Sequence, residues 1–252
     1  MLLALAAALA LAGCAAPPLQ YYTLSGASRA AGAGSAAGSA AGSAARSAAG
    51  SANAGAVHIE VAPVGVPERL ARPQMVIRND SDDPDSNRRG GGRGDSDGAS
   101  TRVQVLEQHR WTSAFDSELR DAFAGAISTP AGAVDVTRGG RLPGQPVYRV
   151  AIRVRYLDAI LDRQVDAGFG WTITRSDDSR SAICHAAVSQ PIGAGMDELV
   201  QGIQQTVAAA AHRIAAQISQ LQANGSATCE PVASPSASPA AGAARPLAVR
   251  IR

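Results

Sequence analysis

The sequence predicts an α+β domain, a mostly antiparallel sheet with two packed helices. Three observations carry this. Segments in which apolar and polar residues alternate recur after residue 57, as strands of a half-buried sheet do. Only residues 112–127 and 196–222 repeat apolar residues at helical spacing. Strands cluster and helices are few, the pattern of helices packed on one sheet.

The elements follow in chain order. "LQYYTL" (19–24) is a short aromatic-rich strand candidate. Residues 25–56 repeat Gly, Ser and Ala and cannot bury enough apolar surface to offset their ordering entropy, so a flexible insertion is expected. In "VHIEVAPVGVPERL", Val57, Ile59 and Val61 alternate with His58 and Glu60 as a half-buried strand. "RPQMVIR" is a second short strand, with Pro73 tolerable only near its start or on an edge. Residues 79–100 carry an acidic block and then a basic one and are expected to form a flexible loop. They lack the spacing of a calcium loop, and Arg93-Gly94-Asp95 reads as chance. "TRVQVLEQ" is a strand. Trp111, Phe115, Leu119, Phe123 and Ile127 then form the stripe of an amphipathic helix over 112–127, capped by Thr112 or Ser113. "AVDVT" is a strand. "VYRVAIRVRYLDAIL" is the clearest one, with Tyr148, Val150, Ile152, Val154 and Tyr156 on one side and Arg149, Arg153 and Arg155 on the other. "GFGWTITR" and "SAICHAAVSQ" continue the meander. Met196–Gln222 is a long helix, with Asp197 and Glu198 at its positive end and Asn224-Gly225 stopping it. Residues 224–252 are Pro/Ala/Ser-rich and expected to be disordered.

Composition narrows the function. The 252 residues are 46% hydrophobic with a formal net charge of +2, enough for one domain with a core. Neither that charge nor 4% aromatic content points to nucleic acid. The chain contains no lysine, which excludes a P-loop, a Schiff base and a Ser-Lys pair. His58, His109, His185 and His212 are scattered, without metal-ligand spacing, and read as edge or satisfied core histidines. Asp158, Asp162 and Asp166 surround a strand turn, where short polar side chains are expected anyway. No catalytic residue, metal site or cofactor is expected. The arginine row at 149–155 fits either a solvated sheet face, the expectation here, or a basic surface toward anionic headgroups or an acidic partner.

The N-terminus is the most specific segment. Its Ala/Leu run is too short to span a bilayer, which takes about 20 apolar residues, and fits the h-region of a signal peptide over 1–13. Leu11-Ala12-Gly13-Cys14 resembles a bacterial lipobox, which implies lipidation of Cys14. Met1-Leu2-Leu3 lacks the usual positive n-region, which fits a start codon upstream. Residues 14–24 are then the lipid anchor and first strand. If "QYYTL" joins the sheet, the tether is Cys14–Leu19, at most about 20 Å long. Cys184 and Cys229 remain as an even pair in an oxidising compartment, either a disulfide or two free thiols.

Several of these residues converge on one family. The lipobox, "YYTL" and the run Val66-Pro67-Glu68-Arg69-Leu70-Ala71-Arg72-Pro73-Gln74 resemble PqiC-like lipoproteins, auxiliary components of ABC-type transport systems. Pro67, Leu70, Arg72, Pro73 and Gln74 carry the motif. Arg110 and Trp111 look like the family's Arg-Trp helix, and the late strand with Trp171 also fits. The resemblance spans roughly 15–222, with an α+β domain over 57–223. It implies a non-enzymatic lipoprotein on the inner leaflet of the outer membrane. It also implies a ring-like homo-oligomer that docks an MCE-domain periplasmic protein, whose ABC transporter lies in the inner membrane, for lipid transport and envelope integrity. Ala15 is not the aspartate that retains such proteins on the inner membrane. The alternatives are an envelope-assembly lipoprotein without a transporter, or a periplasmic lipoprotein hydrolase.

Overall fold

The computed structural model describes residues 18–25, 56–78, 103–137, 139–141 and 144–229. Cys14 and its lipobox, the 25–56 repeat apart from Ser25 and Ala56, the 79–100 loop and the tail beyond Cys229 lie outside the described residues.

The described strands are β1 (Gln20–Tyr22), β2 (Val57–Val61), β3 (Gln74–Arg78), β4 (Val103–Trp111), β5 (Ala133–Asp135), β6 (Val147–Ile160), β7 (Gln164–Arg175) and β8 (Ser181–Pro191). The helices are α1 (Phe115–Ala131) and α2 (Met196–Asn224), and Glu68–Leu70 is a 3-10 turn. The strands form one mixed sheet. Its centre is the antiparallel meander β6-β7-β8, the longest run of pairing in the fold. On the other edge of β6, β2 pairs in parallel with both β6 and β5. Farther along, β3 touches β6 at Arg78–Ile160 and pairs antiparallel with β4. β1 closes that edge, parallel to β4. The fold is therefore α+β and mostly antiparallel, with parallel pairings toward the edges.

Both helices pack on one face. Leu199, Ile203, Val207, Ile214, Ile218 and Leu221 of α2 are buried, as the stripe requires, and so are Phe115, Leu119, Phe123 and Ile127 of α1. Phe123 meets Phe169 of β7 edge-on, with ring centroids 5.4 Å apart. Trp171 is also buried, and its indole N–H donates to Gln217 Oε1 of α2 at 2.8 Å. That bond satisfies a polar group the core would otherwise strand.

Three local expectations are corrected. α1 begins at Phe115 rather than 112, and neither Thr112 nor Ser113 caps it, because both hydroxyls are turned to the Glu118 carboxylate. Trp111 thus ends β4 instead of opening the helix, although its ring still stacks on Phe115 at 5.0 Å. At its far end α1 runs four residues past Ile127. Ser128 and Thr129 bond back to Ala124 O and Gly125 O, and Gly132 at φ 57° closes the helix. The third correction concerns Tyr156. Val154 pairs with Phe169 and Tyr156 with Gly168, which leaves Arg155 as a β-bulge. The bulge shifts the alternation by one, so Tyr156 shares the outer face with the arginines and Leu157 and Ala159 turn inward. Its ring lies over Gly168, where an added Cβ would sit 2.3 Å from Cε1. Only glycine fits beneath that ring.

Cys184 and Cys229 are bridged, with Cα atoms 5.6 Å apart, and the bridge ties the segment after α2 to β8. Replacing both cysteines with alanine is expected to cost about 2–4 kcal/mol, since the bridge closes a long loop in the unfolded chain. A urea titration of the oxidised protein, with intact mass before and after reduction, checks this. Two alkylatable thiols in the unreduced protein would contradict it.

Candidate functional site: the β1–β4 end of the sheet

The sequence places its most distinctive run, Val66–Gln74, between β2 and β3. The run folds as a tight bend because its backbone bonds are local. Leu70 N–H donates to Pro67 O at 2.9 Å and Arg72 N–H to Leu70 O at 2.8 Å. Pro73, which has no N–H to give, precedes β3, and its carbonyl accepts from Trp111 N–H at 2.8 Å. Gln74 lies opposite Arg110. Its amide donates to Glu107 Oε2 at 3.3 Å, while Arg110 Nε donates to the Glu107 carbonyl at 3.0 Å. Leu70, Gln74 and Trp111 then join Met75, Phe115, Leu199 and Ile203 around a small, partly open apolar pocket. Pro67, Leu70, Arg72, Pro73, Gln74, Arg110 and Trp111 thus gather at one end of the sheet. Trp171 does not join them and serves the core beneath α2.

The N-terminal strand arrives at the same place. Tyr22 lies opposite Trp111, and Thr112 N–H donates to Tyr22 O at 2.9 Å. The Tyr22 ring stacks on His109 at 5.7 Å, and its hydroxyl reaches Gln20 Oε1 at 2.7 Å and His109 Nδ1 at 3.0 Å. Partial burial, and then the Asp197 carboxylate, push that hydroxyl above its ordinary pKa. Gln204 of α2 donates to Thr23 O at 3.1 Å, and Leu24 is buried in the core.

Glu118 holds these parts together. It is 5% exposed. Its Oε2 accepts from Thr23 Oγ1 and Leu24 N–H, both at 2.9 Å. Its Oε1 accepts from Thr112 Oγ1 at 2.6 Å and Ser113 Oγ at 2.8 Å. Burial by itself would raise the carboxyl pKa. The bonds from Thr112, Leu24, Ser113 and Thr23 outweigh it and hold the group below its ordinary value. Sequence reading passed over Glu118. The available signal was its place three residues after Phe115 and one before Leu119, on the apolar stripe, where a carboxylate is out of pattern.

The remaining polar candidates stay apart. His58 is buried, with no hydrogen-bond partner for its Nδ1 among the described residues, and His185 is exposed on β8. Among the described residues no three His, Cys, Asp or Glu side chains group to hold a metal ion. No helix among them is long and apolar enough to cross a membrane. What the site offers is a rigid, partly apolar end of the sheet to which the N-terminal segment is fastened.

Residues 96–215 match the model of a family described as ABC-type transport auxiliary lipoprotein component. The chain matches the family its sequence resembles. The matched stretch runs from just before β4 through most of α2 and includes Arg110, Trp111, Glu118 and Trp171, while the 66–74 run precedes it. No curated protein matches the sequence. Among solved structures, the chain is similar to an uncharacterized protein at 19% identity and a TM-score of 0.49, over 64% of this chain and 92% of that one. It is also similar to a Xanthomonas campestris protein of the DUF330 family model, at 15% identity and a TM-score of 0.47, over 66% of this chain and 86% of that one.

Because the folded pKa of Glu118 lies below its ordinary 4.5, the carboxylate adds stability above that pH and loses it as pH falls through the lower folded value. Urea midpoints taken down an acid series should fall more steeply in the native protein than in Glu118→Gln. At neutral pH, Glu118→Ala leaves the buried Leu24 N–H without its acceptor and should cost about 1–3 kcal/mol.

Proposed function

We propose that this chain is a lipid-anchored, non-enzymatic subunit of an ABC/MCE-type transport system. It is held on the periplasmic face of the outer membrane and docks the system's MCE-domain protein there for lipid transport between membranes. The observation that carries the reading is the Glu118 clasp. A strand that begins six residues after Cys14 is fastened beside the pocket by two hydrogen bonds, from Thr23 and Leu24, to a carboxylate that Thr112 and Ser113 also hold. A lipid on Cys14 would therefore hold that end of the sheet close to the bilayer, because the intervening chain reaches at most about 20 Å and Pro17-Pro18 stiffen it. The 25–56 repeat follows β1, so it is a connection between strands and not the tether. The family description supports the transport role, and the bridged Cys184–Cys229 pair supports an oxidising compartment.

Radiolabelled fatty acid should enter the native chain and not Cys14→Ala, and the native chain should fractionate with the outer membrane. The MCE-domain protein of the same system should co-purify with the native chain. Charge placed in the pocket by Leu70→Asp should abolish co-purification while lipidation persists. Label persisting in Cys14→Ala would refute the anchor. Co-purification unaffected by Leu70→Asp would move the docking surface elsewhere.

A further inference from the structure

Among the described residues nothing covers the sheet face opposite the helices along β6, β7 and β8. Its rungs read Arg149–Thr174–Ser181, Ala151–Thr172–Ile183, Arg153–Gly170–His185 and Tyr156–Gly168–Ala187. Arg149, Arg153, Arg155 and His185 are exposed, and Ile183 is 74% exposed, the most open large apolar side chain among the described residues. The arginines are not engaged by the carboxylates nearest them. Glu60, on the strand beside Arg149, pairs with Arg141, and Asp158 pairs with Arg78 at 2.9 Å. Among the described residues Arg149, Arg153 and Arg155 form no ion pair.

The face is also shaped. The bulge keeps Tyr156 on the side of Arg153 instead of letting it alternate inward. Gly168 lies under the Tyr156 ring, and a Cβ at Gly170 would lie 3.9 Å from Arg155 Cδ. Arg155 therefore leans over Gly170, and the two glycines keep the floor between β6 and β8 low. The result is a cationic surface with one aromatic ring and one isolated apolar side chain, bounded beyond the Tyr156 rung by Asp158–Asp166–Ser189, where Asp158 pairs with Arg78 and Asp166 Oδ2 accepts from the Gln164 amide at 2.6 Å.

We propose that this face binds the anionic phosphate headgroups of a lipid bilayer. The inference rests on the lipoprotein reading, which brings a membrane within a short tether of the sheet. A surface with several spaced guanidinium groups suits an array of phosphates better than one enclosed anion. Tyr156 and Ile183 add the aromatic and apolar contacts that favour an interface between headgroups and water. An acidic protein segment is the competing occupant, but it leaves the exposed Ile183 without a role.

The test uses the unlipidated chain from Ala15 onward, which keeps every described element and separates this face from the anchor. Cosedimentation compares vesicles of phosphatidylcholine with vesicles containing phosphatidylglycerol, at low and high salt. The chain should bind the anionic vesicles, bind neutral ones far less, and weaken as salt rises. Arg153→Ala and Arg155→Ala should each lower the partition coefficient on the order of fivefold. Arg153→Lys should restore much of it, and Arg69→Ala, on the exposed 3-10 turn, should leave it unchanged. Equal binding to neutral vesicles, equal loss in Arg69→Ala, or no vesicle binding by a chain that does bind poly-glutamate would each overturn the proposal. None of these outcomes bears on whether Cys14 carries lipid, which the labelling experiment decides separately.

Discussion

One buried carboxylate ties together the end of the sheet where the Val66–Gln74 run, Arg110 and Trp111 gather. Glu118 sits among apolar neighbours on α1, where an unpartnered charge would cost several kcal/mol. Its partners among the described residues are neutral donors, two from the segment after β1 and two from the turn between β4 and α1. Together the four outweigh the cost of its burial, so the carboxylate couples three separate stretches of chain. β1 needs that help. It has three residues on the sheet's edge, too few rungs to hold themselves. The clasp and the buried Leu24 turn a weak edge strand into a fixed attachment.

That attachment gives the motif run its meaning. Pro73, Gln74, Arg110 and Trp111 are mostly engaged through backbone bonds, register and stacking, not through free reactive groups. Their common product is the position of the bend, of β3 and of the start of α1, which together shape the pocket. Trp171 does a similar service in the core by satisfying Gln217, which also lies 3.0 Å from Cys184 Sγ. The bridge, the indole and the amide thus form one buried polar cluster under α2. Such a cluster specifies how the helix lies on β7 and β8, because shifting it would strand the buried amide of Gln217.

The order of eight strands and two helices was legible because each element carries its own period. Alternation marks β6 and the apolar stripe marks α2 without reference to anything distant. What escaped depends on pairing between distant segments. Nothing local in "VHIEV" says that β2 pairs in parallel with β5 and β6. The start of α1 was misplaced because Thr112 and Ser113 have the chemistry of caps, and only Glu118 in three dimensions diverts their hydroxyls. The lipobox was the strongest signal in the chain, yet it lies outside the described residues. The motif run, which read only as a signature, resolves into a bend with definite hydrogen bonds.

The bulge at Arg155 shows how one strand serves two surfaces. Without it, strict alternation would send Tyr156 into the core and leave Leu157 and Ala159 on the solvent side. With it, Leu157 and Ala159 reach the pocket lining while the arginines and Tyr156 stay together outside. The insertion costs a paired residue, and Gly168 costs the packing a side chain would have given. Neither feature improves the core at that rung, since Gly168 is needed only because the ring lies above it. A strand selected for burial alone would have kept the alternation and a β-branched residue at 168. The arrangement is better explained by what it keeps on the outer face, where every basic side chain of this lysine-free strand is an arginine with its planar fork of donors.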